Sequence, residues 1–295
     1  RDGVLVCAAP DLLFARDTTG DGRADKVTRL LTGFNRSNFQ ARVNGLHWGL
    51  DNWIHAANGL LGGAIDGSST GNVFDIRGHD FRFRVAGPVI ERLSGLSQQG
   101  RVRDDWGNAF GCTNGNLCWH YPLPERYARR NSHVKLPGSR VGMVDGSYAR
   151  LYPRSRLLKR FNHPESANRV TSACGIGVYR DELLGREYAD DLFTCEPVHN
   201  LVVHLDLKRR GATYTASRVR DRREFLASTD NWFRPSQVRT GPDGALWVAD
   251  MYRFLIEHPR WVAHDRLAKI DVRAGAKHGR IYRIVPEGKP KRPVA

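Results

Sequence analysis

The sequence predicts an all-β chain arranged as a six-bladed β-propeller, with about five blades present in this fragment. A hairpin motif that recurs along the chain, strands that alternate apolar and polar residues, and scant helical periodicity between them lead to that class. The first copy of the motif is GLHWGLDNWIHAANG (Gly45 to Gly59, after Asn44), a Gly-x-Asp turn, then Trp-Ile-x-Ala, then Asn-Gly. The second is GRVRDDWGNAFGCTNGN (Gly100 to Asn116), and the third is RTGPDGALWVADMYRF (Arg239 to Phe254). A degenerate fourth copy is YADDLFTCEPVHN (Tyr188 to Asn200).

Other strands fit around these hairpins. FDIRGHDFRFRVAG (Phe74 to Gly87) sets Phe81, Phe83 and Val85 on one side and Arg82 and Arg84 on the other, the pattern of a half-buried antiparallel strand. GRIYRIVP near the end alternates in the same way. Small sheets of this kind cannot bury their faces alone, so they stack as blades. A β-sandwich with similar hairpins is the competing architecture. The copies are unevenly spaced because a polar, Pro- and Arg-rich insertion occupies about 121–170. The whole of 1–295 is expected to be a single propeller domain, truncated at its N-terminus.

Composition narrows the function classes. At 295 residues and 40% hydrophobic content the chain can bury a full core. Lys plus Arg number 46 against 31 Asp plus Glu, a net +15, yet the basic residues are scattered, which argues against nucleic acid as the partner. No apolar run reaches the roughly 20 residues of a membrane span. The longest, Gly3 to Ala15, is interrupted by Pro10. Any membrane attachment is therefore expected through parts outside this sequence, which begins at Arg1 without Met. Cys112 and Cys118 flank a TNGN turn, while Cys174 and Cys195 lie in stretches expected to pair antiparallel; a disulfide or free buried thiols fit either pair. There is no CxxCH haem site and no zinc-type CxxC spacing.

DTTGDGRAD (Asp17 to Asp25) places oxygens at calcium-loop positions in Asp17, Thr19, Asp21 and Asp25, with Gly22 at the bend. Thr28 stands where the bidentate Glu belongs, so an Asp/Gly-rich β-turn without an ion competes with the Ca²⁺ reading. His199 and His204 are five apart on an apparent strand, which puts them on opposite faces.

The stretches DLLFARDTTGDGRADKVTRLLTGF, NGLHWGLDNWIHAANG, IRGHDFRF, ACGIGVYRDELLGREYADDLFTCEPVHNLV, NWFRPSQVRTGPDGALWVADMYRFLIEHPRW and HGRIYRI resemble the membrane-bound dehydrogenase domain of the Pirellula/Verrucomicrobium type. That domain is similar to the six-bladed propellers of PQQ-dependent soluble sugar dehydrogenases. The resemblance implies an exported or periplasmic oxidoreductase that oxidises a sugar or other alcohol with PQQ. Electrons would pass to a cytochrome c module outside this chain. Such chemistry needs a base, usually His, and cations on the quinone. Carried over, the base falls near Ala41, which cannot act, and leaves His47 with Arg42 and Asn44 as the candidate catalytic group. Arg234, Asp250, Tyr252 and Arg253 form the candidate cofactor-binding group. Two alternatives stay open: a non-catalytic propeller that binds a glycan or protein, and a calcium-dependent hydrolase or lactonase using Asp51, Asn58, Asn114, Asn116 and Asp250.

Overall fold

The computed structural model describes residues 3–67, 73–86, 89–131, 133, 138–144, 149–157, 166–258, 262–289 and 292–293. Short antiparallel strands carry nearly all the regular structure, as the alternation requires. β1 (Gly3–Ala8), β2 (Asp11–Arg16) and β3 (Lys26–Phe34) form a meander. β4 (Asn44–Trp48) and β5 (Ile54–Ala57) leave it, and β6 (Gly63–Asp66) with β7 (Val73–Asp75) return to complete the order β1-β2-β3-β6-β7. β8 (Asp80–Phe83) and β9 (Ile90–Leu93) join the first motif copy in a second sheet, β4-β5-β8-β9.

The third sheet runs β10 (Arg101–Arg103), β11 (Ala109–Thr113), β12 (Asn116–His120) and β13 (Val141–Gly142). The fourth holds β14 (Cys174–Val178), β15 (Leu192–Glu196), β16 (Leu201–Arg210) and β17 (Thr213–Arg218), with β18 (Leu226–Ala227) also paired to β16. β19 (Pro235–Thr240), β20 (Leu246–Asp250) and β21 (Arg280–Ile284) make a three-stranded fifth sheet. The chain is thus all-β, with five blade-like sheets among the described residues, and a six-blade count has no counterpart there. Of the two single-turn helices, α1 (Glu125–Ala128) and α2 (His264–Leu267), neither is long enough to cross a membrane, and no other described helix is.

Two compact units emerge, Arg1–Arg101 with Tyr121–Arg140 and Val102–His120 with Val141–Ala295. The first buries Leu12, Phe34, Ile54, Ile65, Phe81 and Phe83 around one centre. The second has two centres, one on Phe110, Ile176, Leu192 and Val203, the other on Tyr179, Phe193, Val238 and Val248.

Three expectations change in the fold. Phe74 to Gly87 is not one strand: a turn closed by the His79 N–H on the Ile76 carbonyl breaks it. β7 goes to the first sheet and β8 to the second. The alternation nonetheless holds within β8, where Phe81 and Phe83 are buried and Arg82 stacks outward, 4.5 Å from the Trp53 ring. The insertion at 121–170 is partly structural, since it supplies α1 and the strand β13; residues 132, 134–137, 145–148 and 158–165 of it lie outside the described residues. His199 lies in the turn between β15 and β16, so only His204 is on a strand.

Close sheet packing explains one residue choice. A Cβ on Gly175 would run into the Ser236 carbonyl oxygen, and its φ of +57° is a conformation that glycine tolerates best. In the first unit, a buried ion pair ties β8 to β10. Asp80 is fully buried and accepts from Arg101 Nη1 at 2.8 Å, from Ser97 Oγ at 2.6 Å and from the Asn58 and Ser97 N–H groups. Truncating Asp80 strands the Arg101 cation and two N–H groups away from water. Asp80→Ala is expected to lower the unfolding free energy by about 3–5 kcal/mol, measurable by urea denaturation; a loss below about 1 kcal/mol would show that water relieves the stranded groups.

Candidate functional site

The four residues expected to hold a cofactor do come together in the second unit, but as framework. Arg234 follows a tight turn into β19 and has no exposed surface. Its N–H donates to Asp250 Oδ1 at 2.7 Å, Nε to the Arg253 carbonyl at 2.9 Å, Nη1 to the Pro197 carbonyl at 2.8 Å, and Nη2 to the Phe254 carbonyl. Arg253 donates in turn to the carbonyls of Met251, Ala276 and His278, at 2.9–3.1 Å, and to that of Gly275. Asp250 Oδ1 also accepts the Tyr252 N–H at 2.8 Å, which holds Tyr252 at a φ of 48°. The Tyr252 ring lies 3.7 Å under the Arg280 guanidinium. A quinone carboxylate needs guanidinium forks that are open to it. Here both forks are closed on peptide oxygens, so these residues do not fit PQQ.

The proposed catalytic group is likewise divided among structural tasks. Asn44 Nδ2 donates to the Arg42 and Gln98 carbonyls at 2.8 and 2.7 Å, and its Oδ1 accepts the Gly100 N–H at 2.7 Å. Arg42 Nη2 reaches the Arg36 carbonyl at 3.0 Å, and Ala41 is buried at the end of a short 3₁₀ turn. His47 Nδ1 lies 3.1 Å from the Gly45 carbonyl oxygen. The ladder sets His47 opposite His55, ring centres 5.4 Å apart, and His55 Nε2 is 3.0 Å from Asp51 Oδ2. His55 was absent from the sequence candidates. The equal spacing of His47 and His55, four residues either side of Asp51, was the signal for their pairing.

Calcium fares no better at Asp17 to Asp25. Asp17 Oδ1 accepts the N–H groups of Thr19 and Gly20, Oδ2 accepts that of Gly22, and Asp21 Oδ1 accepts that of Arg23. Asp25 accepts from the N–H and hydroxyl of Thr18. Hydrogen bonds from Gly22 and Gly20 hold the Asp17 carboxyl below its ordinary range. The oxygens close the β2–β3 turn, with Thr19 as a donor to Asp17 at 3.2 Å. No group of three His, Cys, Asp or Glu able to hold a metal exists among the described residues. The oxygens named for a hydrolase are also engaged locally: Asn58 bridges the Ile76 and His79 carbonyls, and Asn116 caps the Cys118 N–H.

A cleft of about 490 Å³ opens instead in the second unit, lined by Asp104, Trp106, Asn108, Asp190, Arg209 and Tyr214, with Ala189, Asp191 and Leu207. Two of its walls are turns of motif copies, and Leu207 and Arg209 of β16 with Tyr214 of β17 complete it. The turn after β10 is clamped by Asp104, whose Oδ1 accepts the Trp106 and Asn108 N–H groups at 3.0 and 2.8 Å, while Oδ2 accepts Asn108 Nδ2 at 2.6 Å. This clamp holds Trp106 out on the surface, 82% exposed. The turn before β15 brings Asp190 and Asp191. Asp191 is fixed by His204 Nε2 at 2.6 Å and by the Leu207 N–H at 3.1 Å. His204 is itself stacked on Phe193, centroids 4.6 Å apart. Asp190 takes a φ of 65°, and burial, then the charges of Asp104, Asp105 and Asp191, push its carboxyl above the ordinary range.

Behind the cleft, His120 is 1% exposed, with Nδ1 2.9 Å from Thr213 Oγ1 and its ring 5.1 Å from that of Tyr214. Burial pushes His120 down to about 4, and burial also pushes the Tyr214 phenol upward. Sequence reasoning missed this cleft because its two acidic turns lie in different copies, 85 residues apart from Asp105 to Asp190. The Asp-Asp pair heading each turn was the available signal.

The fold is all-β, with a polar cleft in its second unit. The chain belongs to the family described as Domain of unknown function (DUF7133), whose model matches residues 1–288. That description assigns no activity and no membrane attachment. No curated protein matches the chain. Among solved structures it is similar to the apo form of the soluble aldose sugar dehydrogenase from Escherichia coli, with 14% identity over 84% of this chain and 74% of that one and a TM-score of 0.43. The PQQ-bound aldose sugar dehydrogenase from Streptomyces coelicolor shares 14% identity over 85% and 69%, TM-score 0.45. Virginiamycin B lyase from Staphylococcus aureus shares 13% over 85% and 64%, TM-score 0.38. At these scores the likenesses carry nothing about ligand or reaction.

Two buried groups contribute to the acid response at different pH. His120 is held neutral, so the unfolded chain takes up its proton first and stability falls as pH drops from about 6.5 towards 4. At Glu196 burial works upward, but His199, with Nδ1 2.8 Å away, and the N–H groups of Thr171 and His199 prevail and hold it at about 2. Its contribution is full above the unfolded value near 4.5 and is lost as pH falls towards 2. Thermal melts across pH 7 to 3 are expected to fall in two stages, and His120→Phe should flatten the upper one; an unchanged upper stage in that variant would refute the assignment.

Proposed function

We propose that this protein binds a polyhydroxylated ligand, a sugar, in the Trp106–Asp190 cleft, on an all-β scaffold of propeller-like sheets. The observation that carries the reading is the pairing of an outward-held indole with carboxylates and a phenol around one cleft. An exposed indole offers its face to the C–H groups of a pyranose ring. The Asp190 carboxyl accepts from hydroxyls in either protonation state, and Arg209 and Tyr214 donate to ring and hydroxyl oxygens. Asp104 and Asp191 have their oxygens engaged by the protein, so they keep the other groups in place. Such a division between an apolar platform and a few placed polar groups is the usual make-up of a small-molecule site.

The sugar expected from the sequence is thereby kept, and its oxidation through PQQ is not. Neither Arg234 nor Arg253 offers a fork to a quinone. The reading is closest to the non-catalytic alternative, with recognition as the activity.

Calorimetry and indole fluorescence against a panel of neutral mono- and oligosaccharides test this directly. Trp106→Ala is expected to weaken binding about three- to tenfold, and Asp190→Asn, which replaces a charged acceptor by a neutral one, about tenfold or more. A panel without any binder, or a binder indifferent to both variants, overturns the proposal. Added PQQ and Ca²⁺ are expected to give no sugar-dependent dye reduction, and a sustained signal would restore the dehydrogenase reading.

A further inference from the structure

We propose that Cys174 and Cys195 are a redox-responsive thiol pair that closes into a cross-strand disulfide. The sequence left two hairpin pairs equally open, and the ladder separates them. Cys174 stands directly opposite Cys195 in the β14–β15 register. Directly opposed residues leave an antiparallel sheet on the same face, with Cβ atoms about 4.5–5.5 Å apart. A disulfide needs about 3.5–4.5 Å, a small approach of two strands already paired. Both side chains belong to one apolar cluster, Cys195 inside it with Phe193, Val202 and Val238, and Cys174 packed at its margin.

Cys112 and Cys118 are different. A bulge lies between the pairs Gly111–Trp119 and Thr113–Asn116, so Cys112 has no opposed Cys118. Cys7 belongs to the other compact unit.

No disulfide joins any of the five cysteines in the structure, and Cys174 is the less buried residue of the pair, its sulfur lying 3.8 Å from the Pro235 carbonyl oxygen. The oxidant is a small disulfide such as oxidised glutathione. The Cys174 thiolate attacks one of its sulfurs, forming a mixed disulfide and releasing one reduced thiol. The Cys195 thiolate then attacks the Cys174 sulfur and releases the second, so two protein thiols become one bridge while one small disulfide becomes two thiols. Burial pushes both protein thiols upward, so the exchange is slow at neutral pH and quickens in alkali. The bridge closes the loop that carries Asp190 and Asp191, which links the redox state to the rigidity of the cleft.

The test treats the whole protein with oxidised glutathione at about pH 9, followed by thiol counting in denaturant and peptide mapping. Two of the five thiols should disappear, a single bridged peptide pair should join Cys174 to Cys195, and the oxidised protein should melt higher than the reduced. Cys195→Ser should stop at a glutathione adduct on Cys174. Survival of all five thiols, or a bridge joining Cys112 to Cys118, overturns the proposal; because wild-type protein carries the main readout, a variant that fails to fold does not obscure it.

Discussion

Buried polar groups must find partners inside the protein, and this chain meets that demand by closing charged side chains on its own backbone. Arg234 shows it most fully. With no exposed surface, its guanidinium serves the turn before β16, through the Pro197 carbonyl, and the segment after β20, through the carbonyls of Arg253 and Phe254. Short strands with tight connections leave many loop carbonyls out of any ladder. An Arg with five donors is the side chain that can satisfy several of them at once. Arg253 does the same for the segment near Gly275, and Asp80 does it with inverted polarity for N–H groups in the first unit.

This constraint explains where polar side chains stay open to solvent. Side chains that the backbone recruits lose their reach towards a ligand. The cleft escapes because Asp104 and Asp191 take up the structural work at its base. Asp104 closes the turn and Asp191 anchors on His204, which leaves Trp106, Asp190, Arg209 and Tyr214 around the opening. The stacked rings of Phe193 and His204, with Phe225 edge-on to both, stiffen the same region from within. The proposed recognition site therefore lies on turns held by rigid strands, as loops on a scaffold commonly do.

Much of the fold was legible. The Gly-x-Asp hairpins, the β2–β3 hairpin, the pairing of the Cys174 and Cys195 stretches and the inward Phe81 and Phe83 all follow from period-two alternation and turn residues. What was not legible was sheet membership. Alternation reports which way a side chain faces and not which strand lies beside it, so Phe74 to Gly87 read as one strand although β7 and β8 pair in different sheets. The site suffered more. Arg234, Asp250, Tyr252 and Arg253 lie together, but their chemistry depends on what the donors touch.

The sequence by itself determined the all-β class, the hairpins, the buried faces and the family resemblance, because these rest on spacing along the chain. Tertiary structure alone decided that the arginines clasp carbonyls, that the Asp17 carboxylate turns onto its own loop, and that two distant Asp-Asp turns meet around one cleft. Partners of that kind are fixed by pairing between segments far apart in the chain, and no local pattern encodes them.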